Sequence, residues 1–364
     1  MNTADGKLFE SYDLNGIQLQ NRVVMAPMTR CRATSDHVPT DIMATYYGQR
    51  SGAGLIITEG TSPSLNGAGY ARIPGIYTPA QTEAWKKITE SVHEGGAKIF
   101  LQIMHTGRVS HPLNMEDGAK VLSSSPVPAE NTEMYTDQEG PKKLPVPKEM
   151  SKEEIAHAIE EYVMAAKNAI EAGFDGVELH AANGYLLEQF INPTCNHRED
   201  EYGGSAENRS RFVLEVAEKV VAAIGSEKVG IRLSPHGAFN DINPFDKEEE
   251  TFEYLAGKLK ELGLTYIHLV DHSSMGSPEV SKQLKAKIRD SFNGTIIISG
   301  GYDFEKATND LDDGLGHLVA FGRPYLANPD LVKRFKQGAE LNQPDFDTFY
   351  TPGEKGYTDY STLN

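Results

Sequence analysis

Short, continuously apolar segments recur along the chain, and stretches with helical periodicity lie between them. This alternation is typical of buried parallel strands joined by crossover helices. Eight such segments occur, at residues 23–28, 54–61, 98–104, 176–182, 229–235, 266–272, 295–301 and 318–324. Eight strands favour closure of the sheet into a barrel. We therefore predict an α/β fold consisting of a single (β/α)8 TIM barrel.

Two segments outside this repeat add detail to the predicted barrel. The pair Asn15-Gly16 precedes the first strand and suits a tight hairpin turn, which predicts a hairpin that caps one barrel mouth. Residues 106–150, after the third strand, are rich in Pro, Ser and charge, and this composition indicates a long excursion. No Pro-, Gly- or Ser-rich tract divides the chain, so we predict one domain over residues 1–364.

Composition narrows the classes of partner and compartment. A net charge of −17, from 35 Lys and Arg against 52 Asp and Glu, repels nucleic acid and anionic lipid, which leaves a small molecule as the expected partner. Cys31 and Cys195 are the only cysteines and lack the spacing of a redox or metal site. With no basic leader and no long apolar run, the sequence predicts a cytoplasmic protein without a membrane span.

The chemistry of such barrels lies at the carboxyl ends of the strands, and here these ends are polar or glycine-rich. Gln102 and Arg232 can bind the amide and carbonyl edges of a planar heterocycle, and Thr29 can donate to another carbonyl. Glycines at the strand ends permit close backbone approach. Gly322 and Arg323 end the eighth strand, where barrels often hold a phosphate. A planar, phosphate-bearing cofactor indicates FMN before other candidates.

Several motifs at these positions match one known family. They are MAPMTR at 25–30, HAANGYLL at 180–187, IRLSP at 231–235, FGRP at 321–324 and EKGYTDY at 354–360. Together they occur in family order from near residue 8 to near residue 361, and the chain in this respect resembles the Old Yellow Enzymes. The resemblance implies bound FMN and NADPH or NADH as the electron donor.

The resemblance also assigns cofactor contacts. It implies that Thr29 contacts the flavin near its C4 carbonyl, that Gln102 and Arg232 bind the pyrimidine edge, and that Arg323 with the neighbouring glycines holds the phosphate. A fixed guanidinium beside the pyrimidine would stabilise the negative charge of the reduced flavin. The full predicted set is Pro27, Met28, Thr29, Gly60, Gln102, His180, Arg232, Gly300, Gly301, Gly322 and Arg323.

For the substrate, the resemblance implies an ene reductase that acts on activated alkenes. His180 and Asn183 would donate to the carbonyl of an α,β-unsaturated carbonyl or nitro compound, hydride would reach the β-carbon, and Tyr185 would protonate the α-carbon. Met104, Phe239 and Tyr357 complete the predicted substrate pocket. Many relatives carry Trp where Met104 stands, which predicts a roomier pocket with altered facial selectivity. Nitroester or quinone reduction is the alternative activity.

Other barrel chemistries lack their residues. None of the eight strand ends supplies the lysine of a Schiff-base aldolase, and no early strand carries the His-x-His of a metal-dependent hydrolase. A metal site at His268, Asp271 and His272 is disfavoured because Asp271 points away from the face that the two histidines share. We predict no metal, and the sequence leaves a monomer and a homodimer equally open.

Overall fold

The computed structural model describes residues 6–363, so the parts of the predicted domain at residues 1–5 and Asn364 lie outside it. Its strands, in chain order, are β1 (Tyr12–Leu14), β2 (Ile17–Leu19), β3 (Val23–Met25), β4 (Leu55–Ile57), β5 (Lys98–Ile103), β6 (Leu122–Ser123), β7 (Glu133–Thr136), β8 (Gly140–Lys143), β9 (Lys148–Glu149), β10 (Gly176–Ala181), β11 (Val229–Leu233), β12 (Tyr266–Val270), β13 (Thr295–Ser299) and β14 (Leu318–Phe321). Strands β3, β4, β5 and β10 to β14 pair in parallel and close into a barrel, as predicted. Each lies within one of the eight predicted segments.

Ten α-helices of the described chain connect these strands or follow them. They are α1 (Asp41–Gly48), α2 (Pro79–Glu94), α3 (Lys152–Glu171), α4 (Leu186–Ile191), α5 (Ala206–Ile224), α6 (Glu248–Glu261), α7 (Lys282–Phe292), α8 (Phe304–Asp312), α9 (Arg323–Ala327) and α10 (Leu331–Gln337). Helix α3 shows why such segments are helical: Ser151 caps its N-terminus in a capping box with Glu154, and apolar residues recur along the face that packs on the barrel.

The N-terminal hairpin closes the barrel at the amino ends of the strands. Asn15 and Gly16 both have positive φ, which a two-residue hairpin turn between β1 and β2 requires. Leu14 and Leu19 then pack against residues that line the barrel interior, among them Phe100 on β5. The predicted hairpin cap is confirmed, and it leaves the opposite mouth, at the carboxyl ends of the strands, free for chemistry.

The predicted excursion after β5 is also confirmed. It contains two small sheets, β6 with β9 and β7 with β8, in which no strand exceeds four residues. Its apolar residues do not form a separate core, because Ala129 and Met134 share one buried cluster with Met104 and Tyr185. The excursion therefore packs over one side of the carboxyl-end mouth.

The barrel interior changes from apolar to polar along its axis. Near the hairpin the inward-facing residues are Leu55, Phe100, Ile297 and Leu318. One layer of side chains closer to the carboxyl ends of the strands, Glu178 on β10 and its polar partners form a buried polar layer. No helix within residues 6–363 has the length and hydropathy needed to cross a membrane.

Gly54 offers a test of barrel packing. A β-carbon at this position, just before β4, would overlap the backbone carbonyl of Asn21. We expect Gly54→Ala to lower the free energy of unfolding by about 1–3 kcal/mol, measured by urea denaturation, because backbone cannot move aside as a flexible side chain can. Gly52→Ala is the matched control, since a β-carbon there meets nothing within 4 Å. Equal stability of the two variants would contradict the packing described for β4.

Candidate functional site

Two adjoining cavities lie at the carboxyl-end mouth of the barrel. The larger has a volume of about 370 Å³ and the smaller about 140 Å³. Five residues line both: Pro27, Thr29, Arg232, Phe239 and Tyr350. The shared wall means that ligands in the two cavities would touch each other.

The larger cavity collects most of the residues predicted to bind the cofactor. Those lining it are Pro27, Met28, Thr29, Arg232, Gly300, Gly301, Gly322 and Arg323. Gly300, Gly301, Gly322 and Arg323 come from the ends of the neighbouring strands β13 and β14, so they form one side of this cavity. Gln102 and His180 line the smaller cavity instead. Gly60 lines neither cavity, because it packs against the Met104 side chain, and its contact with the cofactor stays a prediction.

The smaller cavity brings together the residues predicted to act on the substrate. His180, Asn183, Tyr185 and Met104 all line it, and Phe239 forms the wall that it shares with the larger cavity. His180 lies near the end of β10, and Asn183 lies in the turn after it, with a φ of 61°. That left-handed turn lets the side chains of His180, Asn183 and Tyr185 face one cavity.

Tyr70 also lines the smaller cavity and contacts Tyr185. The two hydroxyl oxygens lie 2.9 Å apart, and the rings meet edge to face. Tyr70 lies in a loop without periodicity and far from Tyr185 along the chain, so no local pattern indicates that the two tyrosines meet. Burial raises the pKa of Tyr185 to about 12, so this phenol carries its proton at neutral pH.

Glu178 forms the floor of the mouth and was not predicted. Its carboxyl oxygens accept from Gln102 Nε2 at 2.8 Å and from the Tyr266 hydroxyl at 3.1 Å, and His268 Nδ1 lies 2.9 Å away. Glu178 is fully buried and two residues before His180, so both face the barrel interior. A carboxylate inside an otherwise apolar strand was the available signal in the sequence.

Arg232 and His180 carry buried polar atoms that the protein does not satisfy. Within residues 6–363, neither Arg232 Nε nor His180 Nδ1 has a hydrogen-bond partner. Such atoms are rare in native structures, and here they belong to side chains that line the cavities. A planar ligand with acceptor atoms along one edge would satisfy them, while the glycines and Arg323 would hold its phosphate. The residues present therefore fit FMN.

The charges of the site favour anionic ligand groups and neutral imidazoles. Burial lowers the pKa of Arg232, while the carboxylate of Glu178 raises it. Burial and then the cation of Arg232 lower the pKa of His180 well below its usual range. His180 is therefore neutral at physiological pH, and it can donate one hydrogen bond without adding a second charge beside Arg232.

Known proteins are similar to this chain over nearly its whole length. The NADH:flavin oxidoreductase / NADH oxidase family matches residues 7–342. The chain belongs to this family. The 12-oxophytodienoate reductase 1 of Oryza sativa subsp. japonica is 44% identical over 363 residues, which cover 98% of this chain and 93% of that protein.

Two solved structures extend the similarity to the fold. Morphinone reductase in complex with tetrahydroNAD is 43% identical, with a TM-score of 0.93, and the match covers 99% of this chain and 98% of the other. The Old Yellow Enzyme homologue of Zymomonas mobilis is 40% identical, with a TM-score of 0.93 and coverage of 98% and 100%. The resemblance to Old Yellow Enzymes is confirmed, and this member of the family is an FMN enzyme with a nicotinamide donor.

One predicted pocket residue of this Old Yellow Enzyme lies elsewhere. Tyr357 is fully buried and stacks on Tyr46 with ring centroids 4.0 Å apart, and it lines neither cavity. Arg30 holds the same segment by donating to the Gly356 carbonyl at 2.7 Å. Tyr350 lines both cavities, whereas a substrate contact of Tyr357 stays a prediction.

The histidine and acidic side chains near the mouth are paired with protein groups rather than gathered around a metal site. His268 lies between Glu178 and Ser299. Its Nδ1 is 2.9 Å from the Glu178 carboxyl group, and its Nε2 is 2.9 Å from the Ser299 hydroxyl oxygen. Asp271 pairs with Lys285 of α7 at 3.1 Å. Within residues 6–363, no group of three or more His, Cys, Asp and Glu side chains is arranged to hold a metal ion.

His105 makes the stability of the protein depend on pH. This residue follows β5, is buried, and has a pKa lowered by burial from 6.5 to about 3. Below pH 6.5 the unfolded chain binds a proton that the folded chain does not, so stability falls as the pH decreases. We expect this histidine to cost about 2 kcal/mol at pH 5 relative to pH 8.

The measurement is the free energy of unfolding between pH 8 and pH 5 for wild type and His105→Gln. The variant should lose less stability on acidification than wild type does, whatever its absolute stability. His157→Gln, at an exposed histidine of α3, is the matched control. Parallel curves for wild type and His105→Gln would contradict a buried, neutral His105.

Proposed function

We propose that this protein is an ene reductase that reduces the carbon–carbon double bond of α,β-unsaturated carbonyl or nitro compounds. The observation that carries the proposal is the smaller cavity, in which His180, Asn183 and Tyr185 adjoin the space that fits FMN. Two neutral donors and a protonated phenol on one cavity are the groups that such a reduction requires.

The cofactor supplies the redox chemistry. Bound FMN would supply hydride transfer, with NADH or NADPH as the donor and the β-carbon of the acceptor as the destination. Thr29, Gln102 and Arg232 would bind the flavin ring, and Arg323 with Gly301 and its neighbours would bind the phosphate. The guanidinium of Arg232, fixed in a buried site, would stabilise negative charge on the reduced ring.

The acceptor is activated and protonated by side chains. His180 and Asn183 would donate hydrogen bonds to its carbonyl or nitro oxygen, which withdraws electrons from the β-carbon and stabilises the enolate that forms. The Tyr185 hydroxyl would then give its proton to the α-carbon, and one hydride plus one proton complete the reduction. The hydrogen bond between Tyr185 and Tyr70 holds the phenol in the cavity.

Reduction of quinones or nitroesters is the alternative, because both accept hydride from the same flavin and need no proton donor at a carbon. The experiment that separates the activities is anaerobic reduction of the holoenzyme with NADH or NADPH, followed by mixing with a panel of enones, maleimides, nitroalkenes and quinones. Flavin reoxidation by the activated alkenes with formation of the saturated product supports the proposal. Reoxidation by quinones alone would favour the alternative.

Three further predictions belong with this proposal. We infer that the chain forms one domain over residues 1–364 and acts in the cytoplasm. We also expect either a monomer or a homodimer, because no feature of the sequence favours one of them.

Tyr185→Phe tests the proton donor. We expect reoxidation of the reduced enzyme by 2-cyclohexenone to slow by about a hundredfold, because general-acid catalysis at the α-carbon is lost. Flavin reduction by the nicotinamide donor should keep its rate, and both steps are measured by stopped-flow absorbance. Tyr135→Phe, at an exposed tyrosine of β7, is the matched control. If Tyr185→Phe is reoxidised by 2-cyclohexenone at the wild-type rate, Tyr185 is not the proton donor.

Met104→Trp tests the shape of the smaller cavity. Met104 is buried and lines this cavity, so a larger aromatic side chain should restrict how a prochiral enone lies against the flavin. We expect altered product enantiomer ratios for several prochiral enones, measured by chiral chromatography. Met164→Trp, at an exposed methionine of α3, is the control. Ratios equal to those of wild type would show that Met104 is ordinary packing.

A further inference from the structure

The backbone of Asn183 is held from both sides. Its N–H donates to the Ser234 hydroxyl oxygen at 3.0 Å, and that hydroxyl donates to Glu188 at 2.6 Å. Its carbonyl accepts from Asn240 Nδ2 at 2.8 Å. These bonds fix where the Asn183 side chain leaves the main chain, but they do not decide which end of its amide faces the cavity.

The orientation of that amide matters for the proposed chemistry. An asparagine amide has one end that donates and one that accepts, and the two ends are nearly equal in size. If the NH2 end faces the cavity, it can donate to the oxygen of an acceptor. If the oxygen end faces the cavity, it repels that oxygen. A residue that binds one end therefore decides whether Asn183 can act.

His272 binds the oxygen end of the amide. Its Nε2 lies 2.7 Å from Asn183 Oδ1. The imidazole is mostly buried in the loop after β12, and its ring lies nearly parallel to that of Phe239, with an interplanar angle of 11° and centroids 6.1 Å apart. Burial and the cation of Arg232 lower the pKa of His272 to about 4. At neutral pH the imidazole thus has one N–H. Because the amide oxygen can only accept, the 2.7 Å contact requires this N–H to be on Nε2.

We infer that His272 is a positioning residue: it holds the Asn183 oxygen away from the cavity and so directs the NH2 group toward the acceptor oxygen. This inference rests on the proposed function, in which Asn183 donates to that oxygen. His272 itself does not touch the reacting atoms in this role. The loop after β12, which carries His272, thereby acts on the substrate through Asn183 in the turn after β10.

Two substitutions separate hydrogen bonding from packing. His272→Phe keeps an aromatic ring beside Phe239 but removes the donor, whereas His272→Gln keeps a donor of similar reach. Each holoenzyme is photoreduced without nicotinamide and mixed anaerobically with 2-cyclohexenone, and reoxidation is followed at several enone concentrations. We expect His272→Phe to lower the second-order rate constant by about three- to tenfold, the effect of losing one hydrogen bond, and His272→Gln to recover most of it.

Reoxidation by dioxygen is the internal control, because dioxygen needs no hydrogen bond from Asn183. Because His272 also lines the larger cavity, each enone rate constant is divided by the dioxygen rate constant of the same variant, and we expect this ratio to fall most in His272→Phe. If His272→Phe slows the dioxygen and enone reactions equally, the substitution has disturbed the flavin and the positioning role is wrong.

A double-mutant cycle with Asn183→Ala gives the decisive comparison. Without the amide there is nothing for His272 to orient, so His272→Phe should have no further effect on the enone reaction in that background. The same loss with and without Asn183 would overturn the inference. Enone reactions of wild type and His272→Phe that agree within error would overturn it as well.

Binding of nicotinamide provides a readout that requires no turnover. Its carboxamide carbonyl can accept from Asn183, and binding to the oxidised enzyme is measured by the change in flavin absorbance. We expect His272→Phe to raise the dissociation constant by about three- to tenfold and His272→Gln to raise it less. A wild-type enzyme that fails to reduce enones would contradict the proposed function, while this titration would still decide the role of His272.

Discussion

The buried carboxyl group of Glu178 is the interaction on which the functional mouth depends. A carboxyl group inside a barrel is unfavourable unless polar partners surround it. Here Gln102 on β5 and the pair Tyr266 and His268 on β12 supply those partners, and the charge of Glu178 acts on Arg232. By bonding to Glu178, Gln102 is fixed in orientation before any ligand binds, so the cofactor platform is preorganised.

Above this floor, loops rather than strands supply the walls. The turn that contains Asn183 and Tyr185 follows β10, Phe239 follows β11, and His272 follows β12. Each is anchored by contacts with another loop, as in the pair of His272 with Asn183 and that of Tyr185 with Tyr70. In the proposed function, the strands would therefore position the cofactor, whereas selectivity for the acceptor would depend on how neighbouring loops hold one another.

Most of the architecture could be predicted because it is encoded locally. Buried parallel strands are continuously apolar, so eight such segments fixed both the count and the order of the barrel strands. The Asn15-Gly16 turn is a local signal too, and it occurs where it was predicted. The polar residues at strand ends converge on one mouth because parallel strands have their carboxyl ends on the same side.

Features that depend on contacts between distant segments could not be predicted. Glu248 belongs to a run of charged residues, a pattern that by itself indicates a solvated helical turn, but it is buried against His236 of another loop. Tyr350 and Tyr357 lie in a tail without periodicity, so nothing local showed that the first lines the mouth while the second stacks on Tyr46. Gly60 lies at a strand end like the true cavity residues, yet the Met104 side chain covers it.

The sequence by itself therefore determined the barrel, its open end and the residue types gathered there, because strand periodicity and turn chemistry act over a few neighbours. Only the tertiary structure decided which of those side chains share a cavity, and which atoms of each face it. His272 shows the physical reason: its hydrogen bond to Asn183 joins residues that lie 89 positions apart. Such a bond depends on the closed geometry of the barrel, and no local pattern records it.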